Sequence, residues 1–241
     1  MARSREGPWH ASTRRRGRPE VNGTDPSLVI AVASDRSLVA DAVGAALSGS
    51  GLVVVRIPWP GELRERGVGW SPGSDAPELG LMLCDLDPAS VEKARWVVAS
   101  YPTGWLLLTD VPRGPLWGAM LEAGVVAILE TSTTFSDVLD AILAVRTGAL
   151  EADPSDRLEL GEAWHREQAE RADARVRLSS LTQREREVLV MIHFGLSVGD
   201  IAERNGVAPS TVRSQVRSVL RKLGVNSQLA ASALFEKWGS E

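Results

Sequence analysis

Four cationic side chains recur at helical spacing near the end of the chain. The stretch 209–228 contains no acidic residue but carries Arg213, Arg217, Arg221 and Lys222. Side chains four positions apart share one face of an α-helix, so the arginines form a stripe. Arginine and lysine donate to phosphate oxygens, which predicts a surface that binds a phosphate backbone. A charge run alone is more often an ordinary solvated face, so the surrounding elements decide between the two interpretations.

The residues that would position this helix are strong local signals. Thr182, followed three residues later by Glu185, forms a capping box and predicts the start of a helix. Gly195 can end this helix, and Ser197 can cap the next one. Asn205-Gly206 then forms a turn, and Pro209 suits the first turn of the last helix. The apolar side chains of the last helix fall opposite the cations, at Val212, Val216, Val219, Leu220 and Leu223. A scaffold helix, a short helix, a turn and a basic helix are typical of a helix-turn-helix DNA reader.

The segment 181–237 resembles the DNA-binding domain of the NarL/LuxR class of bacterial transcriptional regulators. The resemblance runs without a gap through LTQREREVL, GLS, DIAERNGVAPSTVR and KLGV to a trailing helix. It implies a four-helix domain whose third helix enters the major groove of double-stranded DNA. The base-facing positions are then Arg213, Ser214 and Arg217, and the positions near phosphate are Thr211, Arg221 and Lys222.

Two positions depart from this family pattern. Ala208 stands where a capping Ser or Thr is usual, which weakens the basic helix by about 1 kcal/mol. Gln215 stands where a His is frequent. Its amide keeps hydrogen-bonding capacity, so we include Gln215 among the predicted DNA-binding residues.

The composition limits which classes of protein the chain can belong to. With 241 residues, 44% of them hydrophobic, the chain is long enough for two globular domains. It has no apolar run long enough to span a bilayer and no apolar stretch behind its N-terminal arginines, so we expect a cytoplasmic protein without a membrane span. The single cysteine, Cys84, excludes an internal disulfide.

The charge is distributed unevenly along the chain. Residues 27–146 carry 8 basic and 14 acidic side chains, a net charge of −6. Residues 179–241 carry 8 basic and 6 acidic side chains, a net charge of +2. Because cations lead the affinity for nucleic acid, DNA should be bound chiefly by the C-terminal segment.

Residues 27–148 alternate continuous apolar runs with helical patterns. The apolar runs are LVIAVA, LVVVRI, LMLC, WLLLT and VVAIL. Such runs are typical of parallel strands buried on both faces. We therefore predict an α/β domain with a doubly wound, five-stranded parallel sheet of flavodoxin-like type, followed by an all-α domain at 179–241. Functional side chains should lie at the carboxyl ends of the strands, at Ser34, Asp35, Asp85, Thr109, Asp110, Glu130 and Thr131.

The spacing of this domain resembles the receiver domain of two-component response regulators. The resemblance assigns the phosphoaccepting aspartate to Asp85 and the hydroxyl that senses the phosphoryl group to Thr109. It also implies a pair of acids that hold Mg²⁺ after the first strand. Here that pair is Ser34 and Asp35, so one ligand is missing.

The receiver lysine is missing as well. Its position falls at Thr131, or at Glu130 if the register shifts by one. Phosphoryl transfer relies on cations that neutralise developing charge. We therefore predict that conventional phosphorylation does not operate and that no cofactor is bound, since Mg²⁺ at Asp35 and Asp85 would lack its second acid. The alternatives are a conventional response regulator phosphorylated at Asp85, a relic pocket, and a pocket that senses another signal.

Three segments lie outside these domain cores. Residues 1–26 carry 6 basic and 3 acidic side chains without apolar periodicity, which predicts a disordered basic arm. Within it, RGRP resembles the core of the AT-hook, a minor-groove binder, and a nonspecific tail is the alternative. Residues 149–178 predict a solvated helical linker with a loose apolar stripe through Leu158, Trp164 and Val176. Residues 58–77, rich in Pro, Gly and Trp, predict a variable surface loop, and a lid or partner surface is the alternative.

These patterns together predict a sequence-specific, DNA-binding transcriptional regulator. Its expected partners are double-stranded DNA, a second copy of the chain and RNA polymerase. The alternatives are a signalling protein that phosphorylates itself at Asp85 and an interaction module that has lost DNA binding. No enzyme is expected, because His10, His165 and His193 are scattered and no Ser/His/Asp or metal-ligand arrangement accompanies them.

Overall fold

A computed structural model describes the backbone of residues 13–15 and the whole of residues 28–61 and 76–239. The chain divides into two compact units, Met1–His165 and Arg166–Glu241. Among the helices of the described segments, none is both long enough and apolar enough to cross a membrane.

Parallel strands form the centre of the first unit. In chain order the described strands are β1 (Thr13–Arg15), β2 (Val29–Ser34), β3 (Val53–Arg56), β4 (Leu79–Leu83), β5 (Gly104–Thr109), β6 (Val125–Glu130) and β7 (Leu150–Ala152). Five of them form one sheet in the order β3-β2-β4-β5-β6, and every pair in it is parallel. Leu83 pairs with both Ser34 and Leu108, so the carboxyl ends of β2, β4 and β5 meet at one edge.

Helices cover both faces of this sheet. They are α1 (Ser37–Gly49), α2 (Pro88–Ser100), α3 (Pro115–Ala123) and α4 (Phe135–Arg146). α1 and α4 pack in the apolar cluster on one face, and α2 and α3 in the cluster on the other. β2, β4 and β5 are almost entirely apolar because both of their faces are buried. The predicted doubly wound, five-stranded sheet is confirmed.

A short antiparallel ladder lies outside the main sheet. β1 pairs with β7, with Thr13 opposite Ala152 and Arg15 opposite Leu150. The prediction of disorder throughout residues 1–26 is therefore wrong at 13–15, where the backbone gains ladder hydrogen bonds that a free tail lacks. The RGRP motif at 16–19 and most of the predicted loop, residues 62–75, lie outside the described residues.

The predicted linker begins inside the first unit. Helix α5 (Pro154–Ser179) follows β7, and its Leu160 and Trp164 are buried in the same apolar cluster as α2 and α3. A Cβ added to Gly118 would overlap the Leu160 carbonyl, so the glycine permits a close approach of α5 to α3. Leu158, which the sequence placed on the apolar stripe, is instead 66% exposed. The compact unit thus extends to His165, past the predicted domain end at residue 148.

The second unit is helical. Beyond the end of α5 it contains α6 (Gln183–His193), α7 (Val198–Asn205), α8 (Pro209–Leu223) and α9 (Gln228–Trp238). The Thr182/Glu185 capping box starts α6, and a second box formed by Ser197 and Asp200 starts α7. Gly206 ends α7 in the left-handed conformation, with φ 63°. The predicted four-helix fold is confirmed, and Thr182, Ser197, Gly206 and Pro209 lie at helix ends as the sequence predicts.

Candidate nucleic-acid interface and acidic pocket

Helix α8 is anchored by one apolar face. Its buried side chains are Val212, Val216, Val219 and Leu223. Pro209 occupies its first turn, and Ala208 makes no side-chain cap, as the sequence predicted. The orientation of this helix therefore depends on packing against α6, α7 and α9 more than on its own N-terminal cap.

The opposite face of α8 carries five exposed, predicted DNA-binding side chains. They are Thr211, Arg213, Ser214, Arg217 and Arg221. We call Arg213, Arg217 and Arg221 the basic stripe. Within the part of the chain that the structure describes, none of these arginines forms an ion pair. Their guanidinium groups are therefore free to donate to an external anion.

Gln215 is placed differently from the basic stripe. The residue is only partly exposed, and its Oε1 is buried without a hydrogen-bond partner. A buried carbonyl oxygen normally finds a donor, because leaving it unsatisfied costs free energy. The geometry therefore does not support the predicted contribution of this carbonyl to DNA binding.

Lys222 has partners inside the second unit. Its Nζ lies 2.6 Å from Glu185 Oε2 and donates to the Ser180 carbonyl at 3.1 Å. The lysine side chain is 28% exposed. The structure thus places Lys222 in an ion pair within the unit, and the phosphate contact that the family resemblance implies stays a prediction. The sequence showed Glu185 only as a capping residue, so its long-range partner was missed.

Glu185 joins the start of α6 to α8. Only 8% exposed, it accepts from the Thr182 backbone N–H at 2.8 Å and from the Ser218 hydroxyl at 2.7 Å, besides its contact with Lys222. The Lys222 hydrogen bond is the main cause that lowers the pKa of Glu185 to about 2, and the Ser218 and Thr182 bonds add to it. This carboxylate fixes α8 against α6 and so helps to orient the basic stripe.

A small acidic pocket lies at the carboxyl ends of the strands in the first unit. Its volume is about 60 Å³, and its lining includes Ser34, Asp35, Arg36, Asp85, Asp110 and Thr131. The structure thus brings together most of the residues that the sequence placed at this edge. Arg36 was not predicted. Its guanidinium donates to Asp85 Oδ2 and forms an ion pair with it.

Asp35 is the second acid of the pocket, and its Oδ1 is buried without a partner. Burial, followed by the nearby Asp85 carboxylate, raises the pKa of Asp35, whereas Arg36 opposes this shift. One cation is therefore shared between two carboxylates in a partly desolvated space.

The hydroxyl residues at this edge bond to the backbone. Ser34 is buried, and its Oγ accepts from the Arg36 N–H at 3.1 Å. Thr109 is also buried, and its Oγ1 accepts from the Val111 N–H at 3.3 Å. Thr109 is not part of the pocket lining, and its role as the sensing hydroxyl stays a prediction.

Asp87 has a structural role beside the pocket. It caps α2 and completes a capping box with Ser90. The hydrogen bond from the Ser90 backbone is the main cause that lowers the pKa of Asp87. Ser90 Oγ in turn donates to the Asp85 carbonyl, which fixes the backbone that carries the predicted phosphoacceptor.

The pocket fits Mg²⁺ poorly. The Ser34 hydroxyl accepts a hydrogen bond from the Arg36 backbone N–H, and the Asp85 carboxylate is paired with the Arg36 guanidinium. Over the described residues, no three His, Cys, Asp or Glu side chains are grouped so that they could hold a metal ion. Mg²⁺ prefers octahedral oxygen ligation that includes carboxylates, and this arrangement does not offer it.

The chain is similar to several known bacterial proteins. The family described as "Bacterial regulatory proteins, luxR family" matches residues 179–235. The Mycobacterium tuberculosis protein named "Probable transcriptional regulatory protein NarL" is 34% identical over 161 residues, which cover 66% of this chain and 70% of that protein. The Bacillus subtilis transcriptional regulatory protein LnrK is 26% identical over 154 residues, covering 62% of this chain and 70% of that protein. A solved structure of the Salmonella typhimurium RcsB response regulator matches with 18% identity and a TM-score of 0.43, covering 87% of this chain and 99% of that one.

Proposed function

Because the chain belongs to the NarL/LuxR family of bacterial response regulators, we propose that it is a sequence-specific, DNA-binding transcriptional regulator whose receiver-like unit is not controlled by aspartyl phosphorylation. The family consists of transcriptional regulators and not of enzymes. The observation that carries the proposal is the exposed basic stripe on α8, backed by a buried apolar face.

The basic stripe suits the major groove. An exposed helix with arginines on successive turns can place one guanidinium against a guanine edge and others on phosphates. Arg213, Ser214 and Arg217 are the proposed base-facing residues, and Thr211 and Arg221 the phosphate contacts. Lys222 supports α8 through Glu185.

Replacing Arg217 should weaken specific binding. The full chain is first used to select preferred duplexes from genomic fragments. Arg217→Ala is then expected to cost about 1–3 kcal/mol on the selected duplex and less on random DNA, because a base contact is lost. Electrophoretic mobility shifts at several salt concentrations measure both affinities.

The matched control is Arg184→Ala, which removes a half-exposed arginine of the same unit that is paired with Glu187 on α6. It should leave binding to the selected duplex nearly unchanged. Equal losses on selected and random duplexes for Arg217→Ala would remove this residue as a base reader, and no binding by the intact chain would overturn the proposed function.

The charges that line the acidic pocket disfavour phosphorylation of Asp85. A phosphoryl group on Asp85 would bring further negative charge beside Asp35 and Asp110, both of which line the pocket. The cation within reach, Arg36, already neutralises Asp85, and Glu130 and Thr131 stand at the end of β6 where the family resemblance implies a lysine.

Replacing Asp85, the residue that would accept the phosphoryl group, should therefore change DNA binding little. Asp85→Asn is expected to leave DNA affinity within about twofold of the unaltered chain, because DNA binding does not depend on phosphorylation of Asp85. The partly exposed ion pair with Arg36 contributes at most about 1 kcal/mol to folding. Incubation with acetyl phosphate and Mg²⁺ should yield no phosphoprotein by mass spectrometry. A labelled protein whose label disappears in Asp85→Asn, together with tighter DNA binding on labelling, would restore the conventional mechanism.

Two partner assignments stay predictions. A homodimer on two half-sites is expected, since single small readers bury little surface on DNA. Contact with RNA polymerase is implied only by the regulatory role.

A further inference from the structure

The cation that faces Asp85 belongs to the chain itself. The family resemblance implies Mg²⁺ at this place, whereas the structure shows the guanidinium of Arg36. We propose that Arg36 is a tethered replacement for the divalent cation and closes the acidic pocket to Mg²⁺. This inference rests on the proposed function, because it explains why the receiver-like unit does not use aspartyl phosphorylation.

The loop after β2 positions this arginine. Ser34 is 1% exposed, and its Oγ accepts from the Arg36 N–H. Arg36 itself has an extended backbone, with φ −117° and ψ 101°, at the N-cap of α1. Ser34 stands where the family resemblance implies a metal-binding acid. Its hydroxyl instead helps to position Arg36, whose guanidinium takes the place of the metal ion. The serine hydroxyl supplies no negative charge.

The charge balance of the pocket supports the same inference. Asp35, Asp85 and Arg36 together carry a formal net charge of −1, and Asp110 lies on the same lining. A divalent ion would have to displace the Arg36 guanidinium from Asp85. The ion and the guanidinium would then lie in the same small pocket and repel each other, because both are positively charged. Without Arg36, the two aspartates would carry −2, which matches a divalent ion.

The ion pair is partly solvated, which makes the inference testable. The Arg36 and Asp85 side chains are 59% and 43% exposed, so a substitution at Arg36 removes little packing. The unit should therefore fold without the arginine. Any change in cation binding can then be assigned to the lost charge.

The test is a titration of the full chain with Mn²⁺, followed by the electron paramagnetic resonance signal of the free ion. Arg36→Ser is expected to bind Mn²⁺ about tenfold more tightly than the unaltered chain, because the competing positive charge is removed. Arg36→Lys should keep the weak affinity, since the charge remains. Arg36→Ser combined with Asp85→Asn should lose the gain.

The matched control is Arg95→Ser, which removes an exposed arginine paired with Glu92 on α2. It should not change Mn²⁺ affinity. Equal Mn²⁺ affinities for Arg36→Ser and the unaltered chain, with both shown to be folded by urea unfolding, would overturn the inference. A gain that survives Asp85→Asn would overturn it too, because the ion would then lie elsewhere.

DNA binding by the same preparations separates this inference from the proposed function. If the unaltered chain binds its selected duplex and Arg36→Ser gains no Mn²⁺ affinity, the inference alone fails. If Arg36→Ser gains Mn²⁺ affinity and the unaltered chain binds no duplex, the proposed function fails and the role of Arg36 stands.

Discussion

Trp164→Ala is expected to lower the free energy of unfolding of the first unit by about 3–5 kcal/mol, the usual cost of removing a buried tryptophan. Trp164 lies on α5 and is 5% exposed, within the apolar cluster that contains α2 and α3. Its loss leaves a cavity beside α3, where Gly118 had allowed the two helices to approach closely. The result would show that the start of the predicted linker is part of the core.

The measurement uses 5-fluorotryptophan and fluorine NMR during a urea titration. The resonance of Trp105, which is fully buried on β5, reports unfolding of the first unit. Leu158→Ala is the control, because this exposed residue lies on the same helix and should change stability by less than about 0.5 kcal/mol. A similar, small effect of both variants would mean that α5 is a solvated helix, as the sequence suggested.

Glu185→Gln is expected to destabilise the second unit by about 2–3 kcal/mol at neutral pH. The substitution removes the charge that Lys222 pairs with and weakens the acceptor for Thr182 and Ser218, and hydrogen bonds to charged groups are the stronger ones. Because α8 would lose its link to α6, specific DNA affinity should fall as well. Glu187→Gln, at a half-exposed position two residues further along α6, is the control and should have little effect.

The same carboxylate predicts a pH dependence. The pKa of Glu185 is lowered from 4.5 to about 2, so its stabilising contribution is present above pH 4.5 and is lost as the pH falls towards 2. The resonance of Trp238, which packs in the cluster of α6 and α8, reports unfolding of this unit. Between pH 5 and pH 3, about where an unperturbed carboxyl titrates, the unaltered chain should lose more stability than Glu185→Gln. Parallel losses in both proteins would contradict the assigned role of this carboxylate.

The sequence was most informative where one local pattern determined one element. Continuous apolar runs predicted the five strands, since strands buried on both faces tolerate few polar residues. The Thr182/Glu185 box and Gly206 marked helix ends because capping needs only neighbouring residues. By contrast, β1 and β7 have three residues each, too few for a periodic signal.

The missed contacts of the candidate sites join residues that are distant in the chain. Arg36 reaches Asp85 across 49 positions, and Lys222 reaches Glu185 across 37. Neither pairing leaves a local pattern, so the sequence showed a missing lysine at the acidic pocket but not the arginine beside Asp85. It also counted Lys222 with the arginines of the basic stripe, because helical spacing alone does not show which cation meets an acid of another helix.

The acidic pocket also contains a natural chemical reporter. Cys84, directly after β4, is the single cysteine of the chain and is 5% exposed. Burial, followed by the charges of Asp35, Asp85 and Asp87, raises the pKa of its thiol, so the reactive thiolate is almost absent in the closed fold. An alkylating reagent can modify this sulfur only when the end of β4 opens to solvent. The alkylation rate of the unaltered protein therefore measures how often the end of β4 opens to solvent, and the measurement needs no introduced label.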